Sequence, residues 1–290
     1  MDEAPPAASD EVPPPREEIE ARLDAMGARA EAGEEIDLAE GALLLAALDR
    51  PRVGLERYRR HLQTLVHDVA VAAAGARDVG ECVAALSRVI AGTHDYSGDT
   101  LSYDDVQNAN LMRVIDRRRG LPVALGIVYA HAARGQGWDA SGLAFPGHFL
   151  IRLDAAGGRA IVDPFGGGGA LDAGALRDLV KRMGGEEAEL APRFYDAVGD
   201  REVLLRLQNN IKLRALQAED FDRAAAIVST MLRLAPKSAA LWHEKGVFEA
   251  QAGRLAEAIR SLEACLAVAD DPMQRHQVAA ALQKLRASLN

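Results

Sequence analysis

The stretch RRRGLPVALGIVYAHAAR (residues 117–134), followed by LAFPGHFLIRL (143–153) and RAIVDPF (159–165), decides how this chain folds. Pro122 has a fixed φ and no N–H, which suits the first turn of a helix. Val123, Leu125, Ile127, Val128, Ala130 and Ala132 are apolar nearly all round that helix, which predicts its burial, and Gly135 and Gly137 end it. Trp138 to Phe145 reads as a strand leading into FPGHFLIRL. The loop DAAGGR (154–159) then turns the chain into RAIVDPF as an antiparallel hairpin whose strands carry His148 and Asp163. These two residues lie about equally far from the turn, so register alone brings them close, within one residue of slippage. A helix start facing a His and an Asp on neighbouring strands is a layout for nucleophilic catalysis, with Cys or Ser at the helix start. No thiol or hydroxyl lies near Pro122 in the sequence. The scaffold is legible and the nucleophile is missing.

Upstream, residues 1–15 (MDEAPPAASDEVPPP) lack periodicity and read as a disordered tail, and residues 16–34 are charged and Ala-rich, a marginal helix. Asp37 followed by Glu40 resembles a capping box opening the helix LAEGALLLAALDR, which stops at Pro51. Two more helices follow, from Gly54 to Gly75 and after Asp78, and a short one carries Leu111, Val114 and Ile115 on one face. Downstream, the run Gly166 to Gly169 lacks the Lys and Ser/Thr of a phosphate-binding loop and reads as a flexible strand exit. LDAGALRDLVKRMG (171–184) is another helix.

The C-terminal part repeats itself at a 34-residue offset, aligning Ala218 with Ala252, Phe221 with Leu255 and Ala224 with Ala258. That period, with small residues between paired helices and a Pro after each unit, is the signature of tetratricopeptide repeats.

The motifs RRRGLPVALGIVYAHAARGQG, GLAFPGHFLIRL and VDPFGGG together resemble the bacterial SirB-one family, in which a transglutaminase-like domain precedes tetratricopeptide repeats. The resemblance runs from about Asp37 to the C-terminus. It implies an α+β fold: a transglutaminase-like (papain-like) core of N-terminal helices and a small antiparallel sheet, then α-helical repeats. The domain expectation is a disordered or weakly helical tail over 1–34, a transglutaminase-like domain over 35–200 and a repeat region over 201–290. The resemblance also implies the remnant of a Cys-His-Asp site. His148 and Asp163 carry over by motif, the family's cysteine falls where Pro122 stands, and Arg119, Gly120 and Gly147 would line the cleft beside it.

Composition narrows the function classes. A formal charge of -9 and a pI near 5.3 argue against nonspecific binding to nucleic acid or an anionic membrane. The longest apolar runs fall far short of a membrane helix, and the acidic, Pro-rich N-terminus lacks the pattern of a secretory signal, which places the protein in the cytoplasm. Two cysteines, Cys82 and Cys265, make neither a disulfide framework nor a zinc site. Cys82 near a helix start could be a lowered-pKa thiol, but its spacing with Ala85 and Leu86 reads as core, as does Cys265. The histidines show no metal-ligand spacing, so neither metal nor cofactor is expected. The basic run Arg117–Arg119 could meet an acidic partner or simply be a solvated helix end. The leading expectation is a noncatalytic, degenerate transglutaminase-like protein that binds a protein or peptide partner through its cleft, its repeats or both. The alternatives are a hydrolase or acyl transferase using His148 and Asp163 with an atypical nucleophile, and a small-ligand sensor.

Overall fold

A computed structural model describes residues 12–288. Most of the stretch read as a disordered tail, residues 1–11, lies outside the described residues.

Four helices open the fold: α1 (Arg16–Glu31), α2 (Leu38–Leu48), α3 (Glu56–Ala72) and α4 (Val79–Ser87). The Asp37 carboxylate caps α2 by accepting the Glu40 N–H at 3.0 Å, as the sequence pattern predicts. The Glu40 side chain does not reciprocate. It turns instead to Arg22 and Arg59, at 2.6 Å each. The helix read over residues 16–34 is present as α1, but it is not marginal. It is a 16-residue helix whose Ile19, Leu23 and Gly27 form a buried stripe. It packs on α2 and on a helix of the C-terminal half more than 190 residues away.

Next come α5 (Leu111–Arg117), the two-residue strands β1 (Ser97–Gly98) and β2 (Arg119–Gly120), and the buried helix α6 (Pro122–Arg134). The sheet contains β3 (Asp139–Leu143), β4 (Ile151–Ala155), β5 (Gly158–Asp163), β6 (Gly169–Ala170) and β7 (Ala197–Val198), in the order β6-β5-β4-β3-β7. All neighbours are antiparallel. The β4–β5 hairpin turns through Ala156 and Gly157, both at positive φ, the conformation a two-residue turn demands. One sheet face buries Ile151, Leu153 and Val162 against the main core. Leu143, Phe145 and Leu150 pack instead with Leu176, Leu179 and Val180 of α7 (Ala173–Gly184).

Five helices complete the chain: α8 (Asp200–Gln217), α9 (Phe221–Leu234), α10 (Ala239–Gln251), α11 (Leu255–Val268) and α12 (Pro272–Ser288). The 34-residue alignment falls on equivalent places. Ala218 and Ala252 end α8 and α10, Phe221 and Leu255 begin α9 and α11, and Ala224 and Ala258 are both buried. Val203, Leu204, Leu207 and Ile211 of α8 belong to the same apolar cluster as α2 and α6. Leu207 and Ile211 pack on the core as expected of the first repeat, but Leu213, expected to do the same, is 47% exposed.

Candidate functional site

The site is built on the start of α6. Leu121 is extended, Pro122 is the first helical residue, and no side chain caps the helix. Behind it, Ser97–Gly98 pairs in parallel with Arg119–Gly120. Gly98 is required there because a Cβ would sit 2.6 Å from the Phe165 ring. Pro122 and Gly120 are buried, while Gly147 is exposed with φ +69 and faces the Met183 side chain. Arg119 donates from Nη1 to the Asp95 carbonyl at 2.8 Å and the Arg118 carbonyl at 3.0 Å.

His148 and Asp163 are brought together. His148 lies in the connection before β4, three residues short of its first position, and not on the strand as the sequence suggested; Asp163 is the last residue of β5. The β4–β5 register pairs Ile151 with Val162, so continuing it would set Leu150 opposite Asp163. His148 sits at a bend two residues before Leu150, outside the paired ladder. The His148 Nε2–Asp163 Oδ1 distance is 2.8 Å. A carboxylate oxygen accepts, so Nε2 donates, and Nδ1 has no partner among the described residues. His148 is 8% exposed, and Phe165 meets its ring edge-on at 5.9 Å. Asp163 Oδ1 also accepts the Phe165 N–H at 3.0 Å. Burial pushes the Asp163 carboxyl up. The His148 hydrogen bond and charge, with backbone N–H groups of Gly166 and Phe165, together outweigh it and hold the group below its ordinary value.

The glycine run is an ordered turn, which corrects the flexible exit. The Gly168 N–H donates to the Asp163 carbonyl at 2.8 Å, and Gly169–Ala170 pairs with β5. Gly168 has φ +80, and a Cβ there would lie 2.4 Å from the Tyr129 ring. Tyr129 itself is 1% exposed, its hydroxyl has no partner, and burial followed by the Asp163 charge pushes its phenol well up.

Sequence reasoning missed Arg206 on α8. Its Nη2 donates to the His148 carbonyl at 2.6 Å and the Phe145 carbonyl at 3.3 Å, and its guanidinium lies 5.5 Å from the Phe149 ring centre. Tyr103 was missed too; its ring meets Phe165 at 5.9 Å. The only cue for Arg206 was an arginine among buried α8 positions.

The other candidates lie elsewhere or are occupied. Arg117 bonds Asn108 and Asp99 at 3.0 Å each. Arg118, at φ +58, reaches Tyr96 at 2.6 Å and His61 at 2.5 Å. Burial, then Asp78 and Glu81, push the Cys82 thiol up, and burial does the same to Cys265. Among the described residues no group of three His, Cys, Asp or Glu is placed to hold a metal ion. None of their helices is long and apolar enough to cross a membrane. A wide cavity of 1010 Å³ opens at the far end of α6, lined by Asp37, His131, Arg134, Asp139 and Asp200 among others, and contains none of the His148 group. Arg134 clamps Asp200 there through two bonds of 2.7 and 2.8 Å. Chemistry, not cavity size, marks the site.

Comparison with known proteins bears on the fold. Residues 56–209 match the model of the transglutaminase-like superfamily, and residues 211–283 match a tetratricopeptide repeat model. A protein of Xylella fastidiosa named "UPF0162 protein" is 32% identical over 184 residues, which cover 62% of this chain and 66% of that protein. The match therefore spans just under two thirds of that relative's length. A UPF0162 protein of Pseudomonas aeruginosa is 27% identical across 86% of this chain and 90% of its own. "F-box only protein 21" of Mus musculus is 26% identical over 158 residues, 52% of this chain and 24% of that protein. A crystal structure of menin aligns with 90% of this chain and 72% of its own at a TM-score of 0.42 and 11% identity, a level that carries no argument. The chain belongs to the transglutaminase-like superfamily, in the branch where that core is followed by tetratricopeptide repeats.

Proposed function

We propose that this protein is a noncatalytic transglutaminase-like module that binds a protein or peptide partner through the surface around His148 and through its repeats. The observation that carries this reading is the first turn of α6, where Pro122 supplies neither thiol nor hydroxyl. A base held by its orienting carboxylate, but with nothing to deprotonate, is an incomplete device for acyl transfer. Both thiols are buried and pushed up, which favours neither as a substitute nucleophile. Repeats of this kind commonly form extended binding surfaces.

One observation favours a second reading, a hydrolase that activates water. Asp163 fixes His148 through Nε2 and leaves Nδ1 without a partner among the described residues, where a water could be bound. A single experiment separates the two. Intact protein and His148→Ala are each incubated with a mixed peptide library, and bound and free peptides are identified by mass spectrometry. Retention of unmodified peptides by the wild type, weakened in the variant, is the expected result. Peptides cleaved or acylated by the wild type and spared by the variant would overturn the noncatalytic reading.

A further inference from the structure

Three features of the surface beside His148 converge. The first is Arg206. It is half-buried, burial pulls its pKa down, and no carboxylate pairs with it among the described residues. Its Nη2 is committed to two carbonyls, which fixes the group over Phe149, while Nε and Nη1 have no partner among the described residues. In a chain of net charge -9, a positioned guanidinium without an acid is unsatisfied electrostatically, and a carboxylate is its natural complement.

The second is the loop of residues 99–105. Asp99 accepts the Ser102 N–H and hydroxyl at 2.8 Å each and Arg117 at 3.0 Å. Asn108 donates to the Ser102 carbonyl at 2.7 Å. Arg214 of α8 donates to the Asp104 carbonyl at 2.6 Å and the Tyr103 carbonyl at 2.9 Å. This heavily braced loop presents Leu101, 99% exposed, and Tyr103, 41% exposed. Fixing an apolar side chain in water gains nothing for the fold, so such a loop is suited to a contact outside it. The third is Met183, 46% exposed and packed against Gly147, the neighbour of His148.

We propose that Arg206, the 99–105 loop and Met183 form one docking surface for a segment of a partner protein, which sets an acidic side chain on the Arg206 guanidinium and an apolar side chain against Leu101 and Tyr103. This rests on the reading that the protein binds a partner. Charge complementarity selects the acid, and the exposed leucine and tyrosine select its apolar neighbour.

The test is selection of displayed random 12-residue peptides on the intact protein, followed by titration of a synthetic consensus peptide. The expected consensus holds Asp or Glu beside Leu, Ile or Phe. Arg206→Gln should weaken its binding about 10-fold or more, with Arg206→Lys losing less. Leu101→Ser, which touches no buried group, should weaken it several-fold and guards against a folding defect in the Arg206 variants. Changing the peptide's acid to its amide should cost the wild type as much as Arg206→Gln does, and cost Arg206→Gln little more. Peptides that lack an acid, or that bind both variants undiminished, would overturn this surface and leave the partner-binding reading standing. Self-association of the protein that Arg206→Gln abolishes would overturn it in favour of a second copy as occupant. Failure to enrich any peptide would count against both.

Discussion

Asp163 holds more of the site than any other residue: its carboxylate fixes the His148 ring and accepts the Phe165 N–H, and its backbone carbonyl accepts the Gly168 N–H of the glycine turn. Replacing it by Asn keeps the shape and removes the charge. Asp163→Asn should cost about 1–3 kcal/mol at neutral pH, the range for a buried hydrogen bond to a charged group. The pH dependence has a definite sign. The folded carboxyl lies below its ordinary value of 3.8, so its contribution is complete above that value and is lost as pH falls through the folded pKa. Urea midpoints of wild type and variant, measured from pH 7 down to pH 2.5, should therefore converge only below about pH 3.8. A gap that stayed constant to the lowest pH would assign the effect to shape and not to charge. Two glycines at positive φ allow a sharper comparison. Gly168→Ala would press a methyl into the Tyr129 ring at φ +80 and should cost about 2–4 kcal/mol. Gly157→Ala has a similar φ of +73 with open space around it and should cost only ~1 kcal/mol. Equal costs in thermal unfolding would mean that the Tyr129 contact yields freely.

At the scale of elements, α6 and the β4–β5 hairpin were legible because their signals are local. Proline at a first helical turn, an all-round apolar helix and a Gly-bearing turn between alternating strands each specify their element without help from the rest of the chain. The His148–Asp163 pair followed from that register. Edge strands β6 and β7 were not legible, since two residues carry no period. Arg206 and Tyr103 were invisible for a different reason: α8 and the 99–105 loop reach the site only through tertiary packing, 58 residues from His148 in the first case. Helix α1 read as marginal because of its composition. Its buried positions, Ile19, Leu23 and Gly27, recur every four residues along one narrow line, and apart from Met26 everything else on it is polar or small. That narrow line nevertheless matters. Gly27 lets the α9 backbone so close that a Cβ would meet the Arg233 carbonyl, and Arg233 pairs with Glu20 and Asp24 at 2.6 and 2.7 Å. Leu23→Ala should lower stability by about 2–5 kcal/mol, as for other fully buried leucines. Circular dichroism melts would check this, and a loss below 1 kcal/mol would show that α1 adds little to the fold.

The whole molecule is joined by that same helix. Two tetratricopeptide units and a terminal helix are fewer than the three units such an array generally needs to bury its apolar faces alone. The missing burial comes from two sides. Helix α8 enters the main core through Val203, Leu204, Leu207 and Ile211, and α1 lies along α9. Polar links tie the same parts together: Arg201 to Glu31 at 2.7 Å, and Arg214 to the 99–105 loop. Among the described repeat helices, α11 and α12 build an apolar cluster apart from the main core on Leu262, Cys265, Val278 and Leu282. The core and first repeat should therefore unfold as one cooperative unit, with the outermost helices the first to fray. Calorimetry of the full chain should give a single main transition. Residues 206–290 expressed alone should aggregate, because they would expose the α8 stripe and the α9 face that α1 covers. The arrangement also bears on function, since α8 carries Arg206 on one face and the repeat packing on another. A well-folded monomer of 206–290, or two well-separated transitions in the full chain, would mean that the two halves hold their shapes independently and that α8 does not couple them.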